Sequence, residues 1–291
     1  MFPPKKRTST AAYAFICCPK AAALATASCI VPPLSWQTVE ASAVDSVSSK
    51  NEFKLEDSIN NVNRNEKNIV RDKYRNPLKT LTFFEIQRNK KILEISPGNG
   101  YYSEIISHYM RNTNNYFVTE YKYPPVEAVK KGQEKFKTYF KNNQKKFGEI
   151  NTIYFQEGNI LETKNKNFDL VLTFRNTHNW LGSDTAFNVY KSIYDSMKKG
   201  GILGIVQHRG DEKMNKNFYN GYVKESFLIN FIEKIGFKFL EKSNINQNTK
   251  DTKDYKNGVW TLPPRLVLGE KNKNKYLKIG ESDRMTLKFI K

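Results

Sequence analysis

Apolar and polar positions along the chain fall into short runs that switch between two kinds of pattern. Lys91-Ile92-Leu93-Glu94-Ile95 is a compact apolar run and predicts a buried strand; the tight Ser96-Pro97-Gly98-Asn99-Gly100 segment after it leads into a helix over Tyr101 to Met110. Tyr116 to Thr119 predicts a second strand, Val126 to Phe140 a helix, and Ile153 to Gln156 a third strand. Phe168 to Phe174 is apolar almost throughout, as expected of a strand buried on both faces. A helix over Phe187 to Met197 should end at Lys198-Lys199-Gly200-Gly201, a glycine C-cap, before a fifth strand at Ile202 to Gln207. A helix at Glu225 to Ile235 precedes Gly236, and Phe237 to Leu240 and Thr286 to Ile290 predict the last two strands. A short helix over Pro77 to Phe84, with proline at its start, opens the series.

Strands alternating with helices mean an α/β fold with a doubly wound sheet. Such sheets bind ligands outside the carboxyl ends of their strands, at the switch point. Functional side chains are therefore expected at 96–101, 120–123, 158–161, 175–180 and 207–210.

Residues 1–45 differ from the rest. They are rich in Ala, Ser, Thr and Pro, start basic, and hold no acid before Glu40. The apolar stretch from Ala11 to Ile30 and Ala41-Ser42-Ala43 suit a secretory signal with its cleavage site, although Pro19 and Lys20 interrupt the run. The same acid-poor composition suits an organellar transit peptide. The expectation is an N-terminal targeting segment at 1–45, for export or alternatively organelle import. A polar linker should follow at 46–70, and one catalytic domain at 71–291. No run of 18 apolar residues appears, so no transmembrane helix is expected.

The formal charge of +19 raises nucleic acid as a partner. The lysines, however, are spread over the whole body, as in Lys141-Asn142-Asn143-Gln144-Lys145-Lys146, and no Arg-rich patch is interleaved with aromatics. This argues against a nucleic-acid substrate. Cys17, Cys18 and Cys29 all precede the body, which excludes from it a disulfide framework, a thiolate zinc site and a cysteine nucleophile. No metal centre is expected.

The loop after the first strand has three competing readings. A dinucleotide site wants a third glycine, but position 103 is Ser; a phosphate-binding loop wants Gly-Lys-Ser/Thr, which is missing. Glu94 at the strand's end suits a cationic ligand, and Glu120, about 20 residues on, stands where an acid holds ribose hydroxyls. A strand ending in an acid and running into a Pro-Gly-x-Gly loop resembles the class I, S-adenosylmethionine-dependent methyltransferases. Gly158-Asn159-Ile160 resembles their Gly-Asp-hydrophobic turn beside the adenine, with Asn for Asp, and Met197-Lys198-Lys199-Gly200-Gly201-Ile202-Leu203 resembles their entry to the fifth strand, with Lys199 for proline. More narrowly, residues 66–291 are similar to a family of predicted bacterial methyltransferases often made with export signals. That similarity rests on Tyr74-Arg75-Asn76-Pro77, Leu172 to Trp180 (LTFRNTHNW), Gln207-His208-Arg209, Gly258 to Pro264 (GVWTLPP) and Ile279 to Met285 (IGESDRM). Asn99 stands where that family usually has glycine. The resemblance implies a Rossmann-like sheet of seven strands with the last antiparallel, S-adenosylmethionine as cofactor, and a small-molecule acceptor. It implies cofactor contacts at Glu94, Ser96, Pro97, Gly98, Asn99, Gly100, Tyr101, Glu120, Gly158, Asn159, Ile160 and Asn176.

His178 and His208 follow the fourth and fifth strands, and one is expected to act as general base and the other to orient a ligand. His108 lies on a helix and reads as structural. Arg175, with Asn176 and Asn179, is expected to orient a polar or anionic substrate. Trp180 and Trp260 suit either a pocket wall or the core. The stretch 244–283 is long for a connection and reads as an ordered lid around Trp260 to Pro264. Two other functions stay open: a binding protein of this fold without catalysis, and a nucleic-acid methyltransferase favoured by charge alone.

A chain beginning at residue 46 is expected to melt at the same temperature as the full chain. N-terminal sequencing of protein from its native source is expected to find a start between about Ala43 and Glu66, and intact Met1 would contradict processing.

Overall fold

Alternation of side chains along the strands sorts the apolar residues into two layers. Ile92, Leu170, Leu172, Ile202 and Val206 point to one side of a single sheet. Leu93, Ile95, Val171, Leu203 and Ile205 point to the other. The computed structural model describes residues 53–162, 167–214 and 218–291. The expected targeting segment, 1–45, lies outside the described residues.

The strands are β1 (Ile92–Ile95), β2 (Tyr116–Tyr121), β3 (Asn151–Phe155), β4 (Phe168–Phe174), β5 (Met197–His208), β6 (Lys238–Ser243) and β7 (Arg284–Ile290). Their order is β3-β2-β1-β4-β5-β7-β6. β1 to β5 are parallel, and β7 runs antiparallel to both neighbours, pairing His208 with Arg284 and Ile202 with Ile290. This is the doubly wound, Rossmann-like sheet with the antiparallel final strand that the sequence predicts.

Three short helices, α1 (Leu55–Ile59), α2 (Glu66–Ile69) and α3 (Asp72–Arg75), lead in. α4 (Pro77–Phe83), α5 (Tyr101–Tyr109), α6 (Glu127–Asn142) and α7 (Gln144–Phe147) cover the first face. α8 (Thr177–Gly182), α9 (Ala186–Ser196) and α10 (Glu225–Ile235) cover the second, and α11 (Lys273–Ile279) lies in the segment before β7. Winding reverses between β1 and β4, so the loops after these two strands part and open a crevice.

Two places depart from the sequence reading. Within the stretch expected as a linker, residues 53–70 hold α1 and α2, docked through single buried groups rather than an apolar stripe. Leu55 and Ser58 are buried, Arg64 pairs with Asp72 at 2.7 Å, and Asn68 Nδ2 donates to Glu104 at 3.0 Å. Periodicity cannot signal such anchors. Lys198 to Gly201 do not cap α9. Met197 is already extended and paired with Phe168, and Gly200 (φ +79°) sits in a bulge before the ladder resumes at Leu170–Ile202. The 244–283 stretch packs onto the body: Leu262 is buried, and Asn246 Nδ2 bridges the hydroxyls of Thr80 and Thr286 at 3.0 and 2.9 Å.

Gly204 in β5 lies under Phe84 and beside Leu172, where an added Cβ would come within 2.6 and 2.7 Å of their rings and methyls. Gly204→Ala is expected to destabilise the fold by about 1–3 kcal/mol through overpacking. Gly132→Ala in α6, where the added Cβ meets nothing within 4 Å, is expected to stabilise it by roughly 0.5–1 kcal/mol. Denaturant unfolding of both variants checks the pair.

Candidate functional site

The loop after β1 is held from beneath and open above. Ser96 N–H donates to Thr119 Oγ1 at 2.7 Å, and Asn176 Nδ2 donates to the carbonyls of Ile95 (3.0 Å) and Ser96 (3.2 Å). Asn176 thus stitches the end of β4 to the end of β1. Gly98 (φ +60°) is exposed and its missing Cβ would project into open space, whereas a Cβ on Gly100 would stand 2.9 Å from Phe140. Gly98 leaves room for a ligand to approach the backbone, and Gly100 lets α6 pack. Pro97 accepts the turn hydrogen bond of Gly100 N–H at 3.1 Å, and Asn99 is exposed.

Two of the residues expected to touch a cofactor are engaged inside the protein instead. Strand alternation turns Glu94 beneath α5, where its carboxyl accepts from Ser103 Oγ at 2.8 Å and Tyr116 OH at 2.5 Å. Burial raises its pKa to about 7, with the two hydroxyls opposing the rise. Tyr101 donates to Asp72 at 2.6 Å and carries the Arg75 guanidinium 4.4 Å above its ring.

Other polar groups at the strand ends are left unused. Ser96 Oγ is buried without a hydrogen-bond partner. Glu120 is 3% exposed; Lys137 Nζ pairs with its Oε2 at 2.5 Å, and Oε1 accepts no hydrogen bond. Native proteins rarely leave buried polar atoms this way, and each such case calls for an explanation. Beyond β3, a Cβ on Gly158 (φ +71°) would make only ordinary contacts, with Asn188 at 3.9 Å and Ile160 at 4.0 Å, and the side chain of Ile160 is exposed. Ser96, Asn159 and Arg175, at the ends of β1, β3 and β4, all adopt positive φ (49°, 58° and 66°). Backbone held in this region clusters at ligand sites. Tyr121, Gln133, Lys137 and Tyr154 line a concavity of about 550 Å³ beside the ends of β2 and β3.

The histidines after β4 and β5 converge, with ring centres 5.4 Å apart. Gln207 Nε2, which also donates to Gly221 O, lies 3.2 Å from His178 Nδ1. Ser282 Oγ lies 2.6 Å from His208 Nδ1. Both rings are 6% exposed. Burial takes the pKa of His178 down to about 4, the Gln207 contact opposing and Arg175 adding to the fall. Burial first, then His178, Arg175, Arg284 and Arg75, hold His208 well below the ordinary imidazole value. Both rings are therefore neutral at pH 7. His108 lies elsewhere, against Ser58 at 3.0 Å. Trp180 is a core residue packed on Tyr190, while Trp260 meets the His178 ring at 5.9 Å and lines a concavity of about 670 Å³ with Tyr219, Asn220 and Arg265.

The pattern of the sequence did not assign roles to five side chains that complete this neighbourhood: Arg71, Arg75, Glu281, Ser282 and Arg284. Arg75, Glu281, Ser282 and Arg284 lie inside two quoted segments, Tyr74 to Pro77 and Ile279 to Met285, the second of which runs straight into a buried strand, while Arg71 lies outside both. Among the described residues no group of three His, Cys, Asp or Glu side chains is placed to hold a metal ion, and no helix is long and apolar enough to cross a membrane.

No family model matches the chain, and no curated protein is similar to it in sequence. Solved structures are similar in fold. The [4+2]-cyclase SpnF is 12% identical with a TM-score of 0.51, over 75% of this chain and 80% of that one. A SAM-dependent methyltransferase from Aquifex aeolicus is 13% identical with a TM-score of 0.49, over 60% of this chain and 87% of that one. The glycopeptide N-methyltransferase MtfA, in complex with S-adenosyl-L-homocysteine, is 8% identical with a TM-score of 0.47, over 74% and 86%. At such identities the likeness is one of fold.

Glu94 supplies a pH test of the loop's foundation. Its folded pKa of about 7 exceeds the ordinary 4.5, so its contribution is full below about pH 4.5 and is lost as pH rises through 7. Glu94→Gln removes that titration. Its stability relative to the natural chain is expected to improve by on the order of 3 kcal/mol from pH 4.5 to 7.5. His178 titrates oppositely and is present in both chains, so denaturant unfolding of the pair against pH isolates Glu94.

Proposed function

We propose that this chain is an S-adenosylmethionine-dependent methyltransferase acting on a small molecule. The observation that carries the reading is the set of unused polar atoms at the crevice. Ser96 Oγ and Glu120 Oε1 are buried without hydrogen bonds, and Glu120 Oε2 meets only Lys137 Nζ, beside a glycine whose missing side chain leaves open space. These are groups suited to ribose hydroxyls and a close-packed ligand chain. The exposed side chain of Ile160 and the ring of Tyr121 offer apolar faces to an adenine. When bound, S-adenosylmethionine supplies a methyl group made electrophilic by a sulfonium.

The chain's own residues then have to hold the acceptor and take its proton. The contact of His178 Nδ1 with the Gln207 amide N–H makes Nδ1 an acceptor and leaves the ring proton on Nε2. His178 is thereby a donor through Nε2. Ser282 Oγ accepts readily from Nδ1–H of His208, which leaves Nε2 of His208 bare. We assign His208 as the base and His178 as the orienting donor. Arg175, with no side-chain partner among the described residues, is suited to steer a polar or anionic acceptor. The composition of residues 1–45 supports targeting for export or to an organelle.

A second reading is a binding protein of this fold that transfers no methyl group. It is favoured by the depressed basicity of both imidazoles. Fold alone does not separate the two.

S-adenosylhomocysteine is expected to raise the melting temperature and NAD to leave it unchanged, and Gly98→Val should abolish the rise. A normal rise in that variant would sink the cofactor site. His208→Ala is expected to keep the rise but to lower transfer of labelled methyl into a small-molecule extract roughly 10²–10⁴-fold. Cofactor binding without any label transfer in the natural chain would select the second reading.

A further inference from the structure

Four arginines gather around one carboxylate at the edge of the crevice. Arg71 Nε lies 2.6 Å from Glu281, Arg75 Nε 3.1 Å and Arg284 Nη1 3.0 Å. The fourth, Arg175, interacts electrostatically with all of them, yet its guanidinium makes no ion pair or hydrogen bond to a described residue. Nη2 of Arg71, Nη2 of Arg75 and Nε of Arg284 are buried without hydrogen-bond partners. Nearby carboxylates do not make up the deficit. Asp72 is taken by Arg64 at 2.7 Å and Tyr101 OH at 2.6 Å, and Asp283 by Lys253 at 2.9 Å. Burying this much like charge with unmade hydrogen bonds is costly unless another anion enters.

The position of the cluster says which molecule brings that anion. The expected cofactor groups stand on the β1-β2-β3 side of the crevice. Arg175 follows β4, Arg284 opens β7, and Arg284 is the register partner of His208. Glu281 and Ser282 are adjacent, so one turn of chain holds the arginines through its carboxylate and His208 through its hydroxyl. We propose that Arg71, Arg75, Arg175 and Arg284 form a binding site for an oxyanion, a carboxylate or a phosphate, carried by the methyl acceptor. The word acceptor rests on the methyltransferase reading; the oxyanion site does not. Planar guanidinium forks suit both oxyanions. The site also bears on the base. Arg175, Arg284 and Arg75 contribute to depressing His208, after burial and His178. An oxyanion seated among them offsets that contribution, so His208 gains basicity when the acceptor is in place.

The test is calorimetric titration of the full chain with inorganic phosphate and with citrate, at constant ionic strength in chloride. Saturable binding is expected. Arg175→Gln and Arg71→Gln should each weaken it about 10–100-fold, the range for a hydrogen bond to a charged group. Lys234→Gln, an exposed change on α10, should not. Arg175 has no partner to lose, so Arg175→Gln should melt at or above the natural temperature; should it nevertheless fail to fold, Arg71→Gln carries the test. S-adenosylhomocysteine and methylthioadenosine, which lacks the amino-acid carboxylate, should bind the Arg175→Gln chain as they bind the natural one. Absence of saturable binding, or unchanged affinity in both arginine variants, overturns the site. Loss of S-adenosylhomocysteine affinity alone, with methylthioadenosine unchanged, assigns the cluster to the cofactor's carboxylate and overturns the acceptor placement. Oxyanion binding that falls in the variants while S-adenosylhomocysteine binds neither chain upholds the site and removes the methyltransferase reading.

Discussion

The Glu281 carboxylate ties the beginning of the described chain to its end. It accepts from Arg71, just before α3, and Arg75 in α3, across more than two hundred residues, and from Arg284 at the start of β7. Burial alone would raise its pKa, but Arg75, Arg284, Arg71 and Arg175 outweigh that and hold it at about 2. Charge inside a protein is tolerated only when paired. This ionic constraint fixes α3 against the start of β7, while α1 and α2 dock through Leu55, Ser58 and Asn68. Tyr101 and Tyr102 extend the constraint into the crevice, the first supporting Arg75 by its ring and the second donating to the Arg75 carbonyl at 3.3 Å while stacking on Phe174.

The crevice is divided by the same logic. On the side of β1 to β3 the unmet groups are the Ser96 hydroxyl and Glu120 Oε1. On the other side they are mostly donors, nitrogens of Arg71, Arg75 and Arg284, beside one acceptor, Gln207 Oε1. A ligand on the first side has to offer hydroxyls or positive charge, and one on the second has to offer oxygen anions. Asn176 holds the two sides in register through the ends of β1 and β4. Positive φ at Ser96 and Arg175 is the local strain that this arrangement imposes on residues with a Cβ.

The alternation of apolar runs was enough to predict all seven strands, the helices from α4 onward except short α7, α8 and α11, and the crevice, because burial of a two-sided sheet leaves a periodic trace. The Gly98 loop, Glu120 and the pair His178 and His208 were legible for a related reason: in this topology their place after a strand sets their place in space. Glu94 shows the limit of that argument. The residue stands at the end of β1 as expected, but strand parity and the hydroxyls of Ser103 and Tyr116 draw its carboxyl under α5. Asn176 likewise reads as a ligand contact and is found binding backbone.

By itself, then, the sequence determined the sheet, its two apolar layers and the strand ends at which chemistry could be placed, since those follow from local periodicity and from the handedness of the connections. Tertiary structure alone decided the charge environment. Arg71 with Arg75, Arg175, and Glu281 with Arg284 lie in three segments far apart along the chain, and nothing in their spacing says that these segments meet or that three guanidiniums share one carboxylate beside a fourth. The protonation and tautomer of His178 and His208 were decided in the same way, by Gln207, Ser282 and the surrounding burial. Coulomb and desolvation energies depend on distances in three dimensions, and these are set only when the layers close.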